Sequence, residues 1–264
     1  MVSLQSLLVA SVLASAASCA PSADCHTIAA RSGSGKRGLA YNNGDLLPIF
    51  LRIGESFSWS YNWNGRSSGD TSTIEFVPML WGARSFGSWY GDAETSLASG
   101  SKNLLAFNEP DILSQANMTP EVAVQAYLKY MNHYSGRARL GSPAVSNGAP
   151  PLGLGWMKNF LDICGGKCKI DFLAVHWHGP AGNVDDFKRY ISNAIALAKN
   201  YGIATVWVTE FGAQGDEWQQ VQFLKEVLPW LDNNAGVERY AYFFVDTLAR
   251  GGSLSSVGQV YSTI

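Results

Sequence analysis

Two glutamates stand at the ends of short apolar runs: Glu109 in Asn108-Glu109-Pro110 and Glu210 in Thr209-Glu210-Phe211-Gly212. A pair of facing carboxylates is the minimal equipment for cleaving a glycosidic bond. One protonates the leaving oxygen, and the other attacks the anomeric carbon or activates water. Either Glu alone reads as an ordinary surface or salt-bridged residue. What singles them out is that each closes a strand-like run, which is where barrel enzymes carry their chemistry. Carboxylates meeting across a barrel rim are expected about 5–5.5 Å apart, the spacing of direct attack and retained configuration. Glu109 is then expected to be the acid/base and Glu210 the nucleophile, with Asn108 bonded to the sugar 2-hydroxyl.

The elements that must bring this pair together are eight β-rich runs, near 37–42, 56–63, 74–81, 103–108, 138–144, 171–177, 204–209 and 238–245. Longer stretches that can hold helices separate them. Thr119-Pro120-Glu121 opens one helix, with Val122, Tyr127, Leu128 and Met131 expected inward. Phe187 to Asn200 and Glu217 to Asn233 are two more, the last with Pro229 inside it as a kink. Alternating βα units with apolar strands imply a parallel sheet covered by helices. Eight of them imply an α/β fold of the (β/α)8 barrel type, in one domain. Glu109 and Glu210 then close the fourth and seventh strands.

Strand ends also nominate binding residues. Asn42, Tyr61, Trp63 and Trp81 end the first three runs and are expected to line a sugar groove. Trp207 is out of phase with Val206 and Val208 and is expected to pack on a helix. His176 and His178 share a strand face, so a metal reading arises. The only other histidines are His26 and His133, and with both glutamates already engaged the expectation is no metal and no cofactor.

The chain has 264 residues, 47% hydrophobic and only 15% charged, with a net charge of −2. That excludes disorder as the main state, and the absence of any basic run argues against nucleic acid. Residues 1–20 carry no charged side chain, and Leu7 to Ala14 is a short apolar run, the pattern of a secretory signal. Residues 21–37 read as a flexible leader, with a possible trimming site at Lys36-Arg37, leaving 38–264 as the barrel. No later stretch reads as a membrane span. Cys164 and Cys168 are expected to pair in an oxidising compartment, on the stability side of the sixth strand. Asn117-Met118-Thr119 is a glycosylation sequon. A secreted monomer is expected.

These stretches together resemble a known family. KRGLAYNN (36–43), WSYNWN (59–64), FVPMLWG (76–82), LLAFNEPD (104–111), GSPAVSN (141–147), DFLAVHWHG (171–179), VWVTEFG (206–212) and FLKEVLPWLD (223–232) with VERYAYF (237–243) look like glycoside hydrolase family 128, the fungal glycosyl hydrolase catalytic core. The resemblance runs from about residue 36 to the C-terminus. It implies hydrolysis of β-1,3-glucan and the same roles for Glu109 and Glu210. Two positions depart from the family pattern. The sixth strand reads His176-Trp177-His178 where the family has His-Trp-Tyr, and Tyr242 stands where the eighth strand offers Trp. His178 is expected to take over the hydrogen bond to the nucleophile. Endo action is expected, since no large insertion blocks the groove. The competing readings are a barrel glycosidase for a β-1,4-mannan or β-1,4-glucan, a cell-wall protein that binds β-glucan without cleaving it, and a metal-dependent hydrolase that a chelator would stop.

Overall fold

Each apolar run resolves into one face turned to a barrel interior and one turned to helices. The computed structural model describes residues 35–54 and 56–264. The expected signal, the leader up to residue 34, Cys19, Cys25 and His26 lie outside the described residues. Eight parallel strands form: β1 (Arg37–Ala40), β2 (Trp59–Tyr61), β3 (Glu75–Phe76), β4 (Asn103–Leu104), β5 (Arg139–Leu140), β6 (Phe172–Pro180), β7 (Thr205–Gln214) and β8 (Val237–Tyr242). Six pair in the order β3-β2-β1-β8-β7-β6, and β4 pairs with β5. Single bridges join the two sets, Met79 to Leu105 on one side and Gly141 to Phe172 and Val145 to Val175 on the other, so the sheet closes as a (β/α)8 barrel. A short antiparallel hairpin, β9 (Ala249–Arg250) and β10 (Ser253–Leu254), follows β8.

The helices are α1 (Leu47–Leu51), α2 (Trp89–Ala98), α3 (Pro120–Ala126), α4 (Gly153–Cys164), α5 (Val184–Asn200), α6 (Glu217–Asn233), α7 (Val245–Leu248) and α8 (Ser256–Thr263). Thr119 caps α3 as expected, its side chain accepting from the Val122 N–H, and a π turn over Tyr127–Met131 continues it. Tyr127 and Met131 are buried, but Val122 is half exposed, a correction to the inward set. It lies on the solvent face of the helix with Gln125 and Lys129, while Ala123, Val124 and Ala126 take the buried face. Pro229 lies within α6 without ending it. None of the described helices is long and apolar enough to cross a membrane.

The barrel interior is filled by Ala40, Trp59, Tyr61, Val77, Met79, Leu105, Phe172, Trp207 and Ala241. Trp207 stacks on Phe172 with ring centroids 3.9 Å apart and meets Trp59 at 5.2 Å. This corrects the helix-facing expectation: Val206 and Val208 face the helices, and Trp207 faces in. Small residues opposite make room for rings this large. A Cβ on Gly38 would come within 2.3 Å of the Trp59 ring, and one on Gly141 within 2.6 Å of the Phe172 ring.

Charges close the end of the barrel below these rings. Glu75 pairs with Arg239 at 2.7 Å, and Arg139 grips both oxygens of Glu238 at 2.5 and 2.8 Å. Burial works to raise the Glu238 carboxyl, but Arg139, Thr205 and Trp207 bring it down to about 2. A cavity of about 1330 Å³ opens at this end, lined by Arg52, Thr71, Glu75, Ser99 and Arg239 among others, away from the carboxylate pair. Asp171, read as structural, accepts from the Leu140 N–H at 2.7 Å. The Cys164–Cys168 disulfide forms, with Cα atoms 5.5 Å apart, between the end of α4 and the start of β6.

The boundary expected after Arg37 falls inside the barrel. Arg37 opens β1 and is buried, donating to the Tyr261 and Ile264 carbonyls at 2.5 and 2.8 Å and to the Tyr240 hydroxyl at 3.1 Å, and pairing with Asp232 at 3.3 Å. Lys36 donates to the carbonyls of Leu231 and Asn234. In the folded chain both residues of this dibasic pair are bonded to the C-terminal part of the barrel. Arg37→Met removes the buried donor to the Tyr261 and Ile264 carbonyls and the cation beside Asp232, a loss of about 3–5 kcal/mol. Differential scanning calorimetry should therefore show Tm lowered by about 10 °C; a shift under about 2 °C would reject this account.

Candidate active site

Glu109 and Glu210 meet at the C-terminal end of the strands through two local irregularities. The first is in β7. Its pairing with β6 runs Val175 to Val208 and then His176 to Glu210, so Thr209 is an extra residue, a β-bulge. Simple alternation from Trp207 would turn Thr209 inward and Glu210 out toward the helices. The bulge lets both serve the interior and sends Phe211 out to pack on Phe187 and Phe223. The Thr209 carbonyl accepts from the Tyr61 hydroxyl at 2.9 Å, and its own hydroxyl lies 3.0 Å from His176 Nε2.

The second irregularity is after β4. Glu109 has φ +43, left-handed for a residue with a Cβ, and Pro110 removes the ordinary helical alternative. Neighbours hold it there: Asn108 N–H donates to the Trp81 carbonyl at 2.9 Å, and Glu109 N–H to the Ala144 carbonyl at 2.8 Å. Among the described residues only Trp63, Glu109 and Asn117 are non-glycines with positive φ. Two of the three touch the carboxylate cluster, so strain is concentrated where a site needs fixed geometry.

His176 links the pair. Its Nδ1 is 3.0 Å from Glu109 Oε1 and 3.5 Å from Glu210 Oε1. Trp63 Nε1 donates to Glu210 Oε1 at 2.7 Å, and His178 Nε2 is 3.2 Å from Glu210 Oε2. Burial by itself would raise the Glu210 carboxyl. The His176 charge and the bonds from His178 and Trp63 outweigh it and hold Glu210 below the ordinary glutamate value. Burial would likewise lower His176, but the charge of Glu210, the bond to Glu109 and the charges of Glu109 and Asp111 raise it. Asn108 donates from Nδ2 to Gln115 Oε1 at 3.2 Å, while its Oδ1 is buried with no protein partner. An acceptor of that kind next to Glu109 awaits a donor from a bound molecule.

The glycosyl hydrolase catalytic core family matches residues 38–261. The chain belongs to it, as a member of glycoside hydrolase family 128. It is a glycoside hydrolase. It is 72% identical to a family 128 subgroup III curdlan-specific exo-β-1,3-glucanase from Blastomyces gilchristii, solved with glucose, over 89% of this chain and 100% of that one, with a TM-score of 0.87. It is 27% identical to a subgroup I endo-β-1,3-glucanase from Amycolatopsis mediterranei, solved with laminaritriose, over 86% of this chain and 98% of that one, with a TM-score of 0.72. It is also 34% identical to alkali-sensitive linkage protein 1 of Schizosaccharomyces pombe over 255 residues. That match takes in 87% of this chain but only 45% of the relative, so the chain spans about half the length of that protein.

Of the binding residues expected in this family 128 barrel, Trp63, Asn108, His176 and His178 gather at the carboxylates. Tyr61 does not line the groove. It is fully buried beneath Glu210, its hydroxyl donating to the Thr209 carbonyl at 2.9 Å and lying against the Glu210 carboxylate. Tyr242 also leaves the set, because it faces the helix layer, where its hydroxyl donates to Gln220 Oε1 at 3.0 Å. Asn42 is exposed at the end of β1, with its N–H donating to Asp246. Trp81 is half-buried, and Arg84 covers one face of its ring at 3.5 Å. Asn117 is exposed in the turn before α3.

Two residues of the family 128 site escape the sequence reading: Phe243 and Phe244, joined by a cis peptide after β8. Phe243 packs edge-on to His178 at 5.1 Å, and both rings meet Trp63, at 5.8 and 6.1 Å. Arg239 and Ala241 face in, and Tyr240 and Tyr242 face out. Counting on from Tyr242 would have turned Phe243 inward.

One oxygen from each carboxylate and a His176 nitrogen all lie within 4.8 Å of one another, a set that could hold a divalent ion. Such an ion would occupy the lone pairs that a nucleophile and an acid/base need. Metal binding and two-carboxylate chemistry are therefore alternatives for the same atoms.

Proposed function

We propose that this chain hydrolyses β-1,3-glucan with retention of configuration by double displacement. The observation that carries the reading is that both carboxylates meet at one histidine nitrogen, Glu109 Oε1 at 3.0 Å and Glu210 Oε1 at 3.5 Å from His176 Nδ1, with no gap between them for a separate water. Inverting enzymes hold their carboxyls about 6.5–9.5 Å apart to admit a water. In the first step Glu109 gives its proton to the glycosidic oxygen, the bond from that oxygen to the anomeric carbon breaks, and Glu210 forms an ester to the carbon. In the second, Glu109 takes a proton from water as the hydroxide attacks, and Glu210 leaves ionised. The free Asn108 Oδ1 accepts from the sugar 2-hydroxyl, and Trp63, His178 and Phe243 wall the sugar that is cleaved.

β-1,3-glucan as the substrate rests on the relatives, which are named for that linkage at 72% and 27% identity. Endo action, expected from the sequence, agrees with the name of the 27% relative. Exo action is a second reading, favoured by the name of the 72% relative. The apolar, charge-free start of the chain and the Cys164–Cys168 disulfide support work outside the cell or in the wall.

The test is reducing-end release from a soluble β-1,3-glucan, with a β-1,4-glucan and a mannan as controls. Anomeric configuration is read by NMR before mutarotation. Cleavage of the β-1,3 polymer alone, giving the β-anomer first, is expected. The product ladder then separates internal cuts from release at a chain end. Binding without cleavage would turn the reading to a lectin, and activity lost to a chelator would turn it to a metal enzyme.

A further inference from the structure

Charge around the carboxylate pair is poorly balanced. Glu109 and Glu210 are 14% and 7% exposed, and among the described residues only histidines form ion pairs with them. No lysine or arginine does. Two carboxylates in a dry pocket therefore share only what His176 and His178 can offer, a setting that favours an added cation.

The donors are also placed as ligands. His176 is fully buried, and Thr209 Oγ1 holds its Nε2 at 3.0 Å. That bond fixes the ring and leaves Nδ1 to face both glutamates, as a hydrogen bond on the far nitrogen does for an imidazole that binds metal. Zinc bonds of about 2.0–2.2 Å to nitrogen and oxygen put neighbouring donors of a tetrahedron roughly 3.3–3.5 Å apart. Nδ1 lies 3.0 Å from Glu109 Oε1 and 3.5 Å from Glu210 Oε1, and one donor from each residue falls within 4.8 Å of the others. Glu210 is held from both sides, by Trp63 on Oε1 and His178 on Oε2. Asn108, next to Glu109, keeps a buried Oδ1 with no protein partner, an acceptor for a water on an ion's open position. One imidazole with two carboxylates suits zinc or copper. Magnesium and calcium prefer six or more oxygen ligands.

We propose that Glu109, Glu210 and His176 form an inhibitory site for divalent transition cations, zinc and copper first, in which one ion bridges the two carboxylates through His176 Nδ1 and stops hydrolysis until it is removed. The ion takes the Glu109 oxygen that carries the acid proton and the Glu210 lone pair that attacks. It also blocks the approach of the anomeric carbon, so it competes with the glucan. This rests on the two-carboxylate reading above and adds its regulation: the enzyme works without metal and stops in zinc.

The experiment titrates zinc into EDTA-stripped, dialysed protein by calorimetry, comparing wild type with Glu109→Gln, Glu210→Gln and Thr209→Val. Wild type should bind one equivalent at this site. Each Gln variant keeps the side-chain size but gives up a charged donor, and should weaken zinc at least about tenfold; Thr209→Val, which frees the His176 ring, should cost about 10–100-fold. Cobalt in place of zinc should give visible d–d absorption that Glu210→Gln abolishes. With a soluble laminari-oligosaccharide, zinc should raise KM at unchanged kcat, EDTA should reverse it, and equal magnesium should have no effect. Zinc binding equal in wild type and all three variants would overturn the proposal by placing the ion elsewhere, for example on the exposed His133. So would zinc that leaves KM unchanged, or activity that appears only when zinc is added. If stripped wild type cleaves no glucan, the hydrolase reading fails, and calorimetry with the cobalt spectrum still decides the metal site.

Discussion

Glu210→Gln should lower turnover of a β-1,3-glucan at least about 10⁴-fold while oligosaccharide affinity stays near that of wild type, as when a covalent nucleophile is removed. The amide matches the carboxylate in size and can still accept from Trp63, so the pocket keeps its shape. What goes is the anion that attacks the anomeric carbon. A residual rate within about tenfold of wild type would exclude Glu210 as the nucleophile. The pH profile adds a separate test. Activity needs Glu210 ionised, and its folded value lies below the ordinary 4.5. Turnover should therefore persist as pH falls past 4.5 and decline only through the lower folded value. Trp63→Phe removes the 2.7 Å donor to Oε1 and should move that acid limb upward. Stability follows the same groups. Ionised Glu210 favours the fold above 4.5, a contribution lost as pH falls through its folded value. Protonated His176 favours the fold below its ordinary 6.5, a contribution lost as pH rises through its raised folded value. Both contributions are complete only between pH 4.5 and 6.5, where Tm should be highest.

Much of this arrangement is readable from residue types, and the limits of that reading are physical. All eight strands are visible because each is a short β-rich run buried on two faces, a pattern that survives without tertiary information. Thr119 and the Cys164–Cys168 pair are equally local. The orientation of single side chains is different, since it depends on parity counted from a fixed point, and one inserted residue inverts it. The bulge at Thr209 is such an insertion. Without it Glu210 could not be aimed inward at all, yet no residue type there announces it. Trp207 and Tyr242 were misplaced because an aromatic in a strand says that something large is buried, not on which side; Tyr61 does face the interior, but below the groove. Arg37 misled in another way. A charged side chain beside a flexible stretch reads as solvated, but here the C-terminal residues wrap around it and supply the acceptors that allow its burial. Phe243 escaped because Tyr242 was read as the inward residue; with Tyr242 facing out, alternation turns Phe243 in, and Phe244 follows it past the end of β8.

Glu109→Gln should lower kcat on β-1,3-glucan about 10²–10⁴-fold, the range for loss of general acid–base help. Unlike the Glu210 variant, its defect should depend on the leaving group. With an aryl β-glycoside whose phenolate leaves unaided, the first step no longer needs a proton. Glycosyl-enzyme should then form at close to the wild-type rate and accumulate as a burst, because the second step still lacks its base. Azide, a nucleophile with no proton to remove, should restore turnover and give the β-glycosyl azide. That outcome separates Glu109 from His176, whose Nδ1 is only 3.0 Å from Glu109 Oε1. His176→Ala leaves the acid in place, so azide should give it no rescue. If azide rescues His176→Ala and not Glu109→Gln, the two roles are exchanged. Glu109, held at φ +43 by its bridges to Ala144 and Trp81 through Asn108, would then be the residue that orients the histidine.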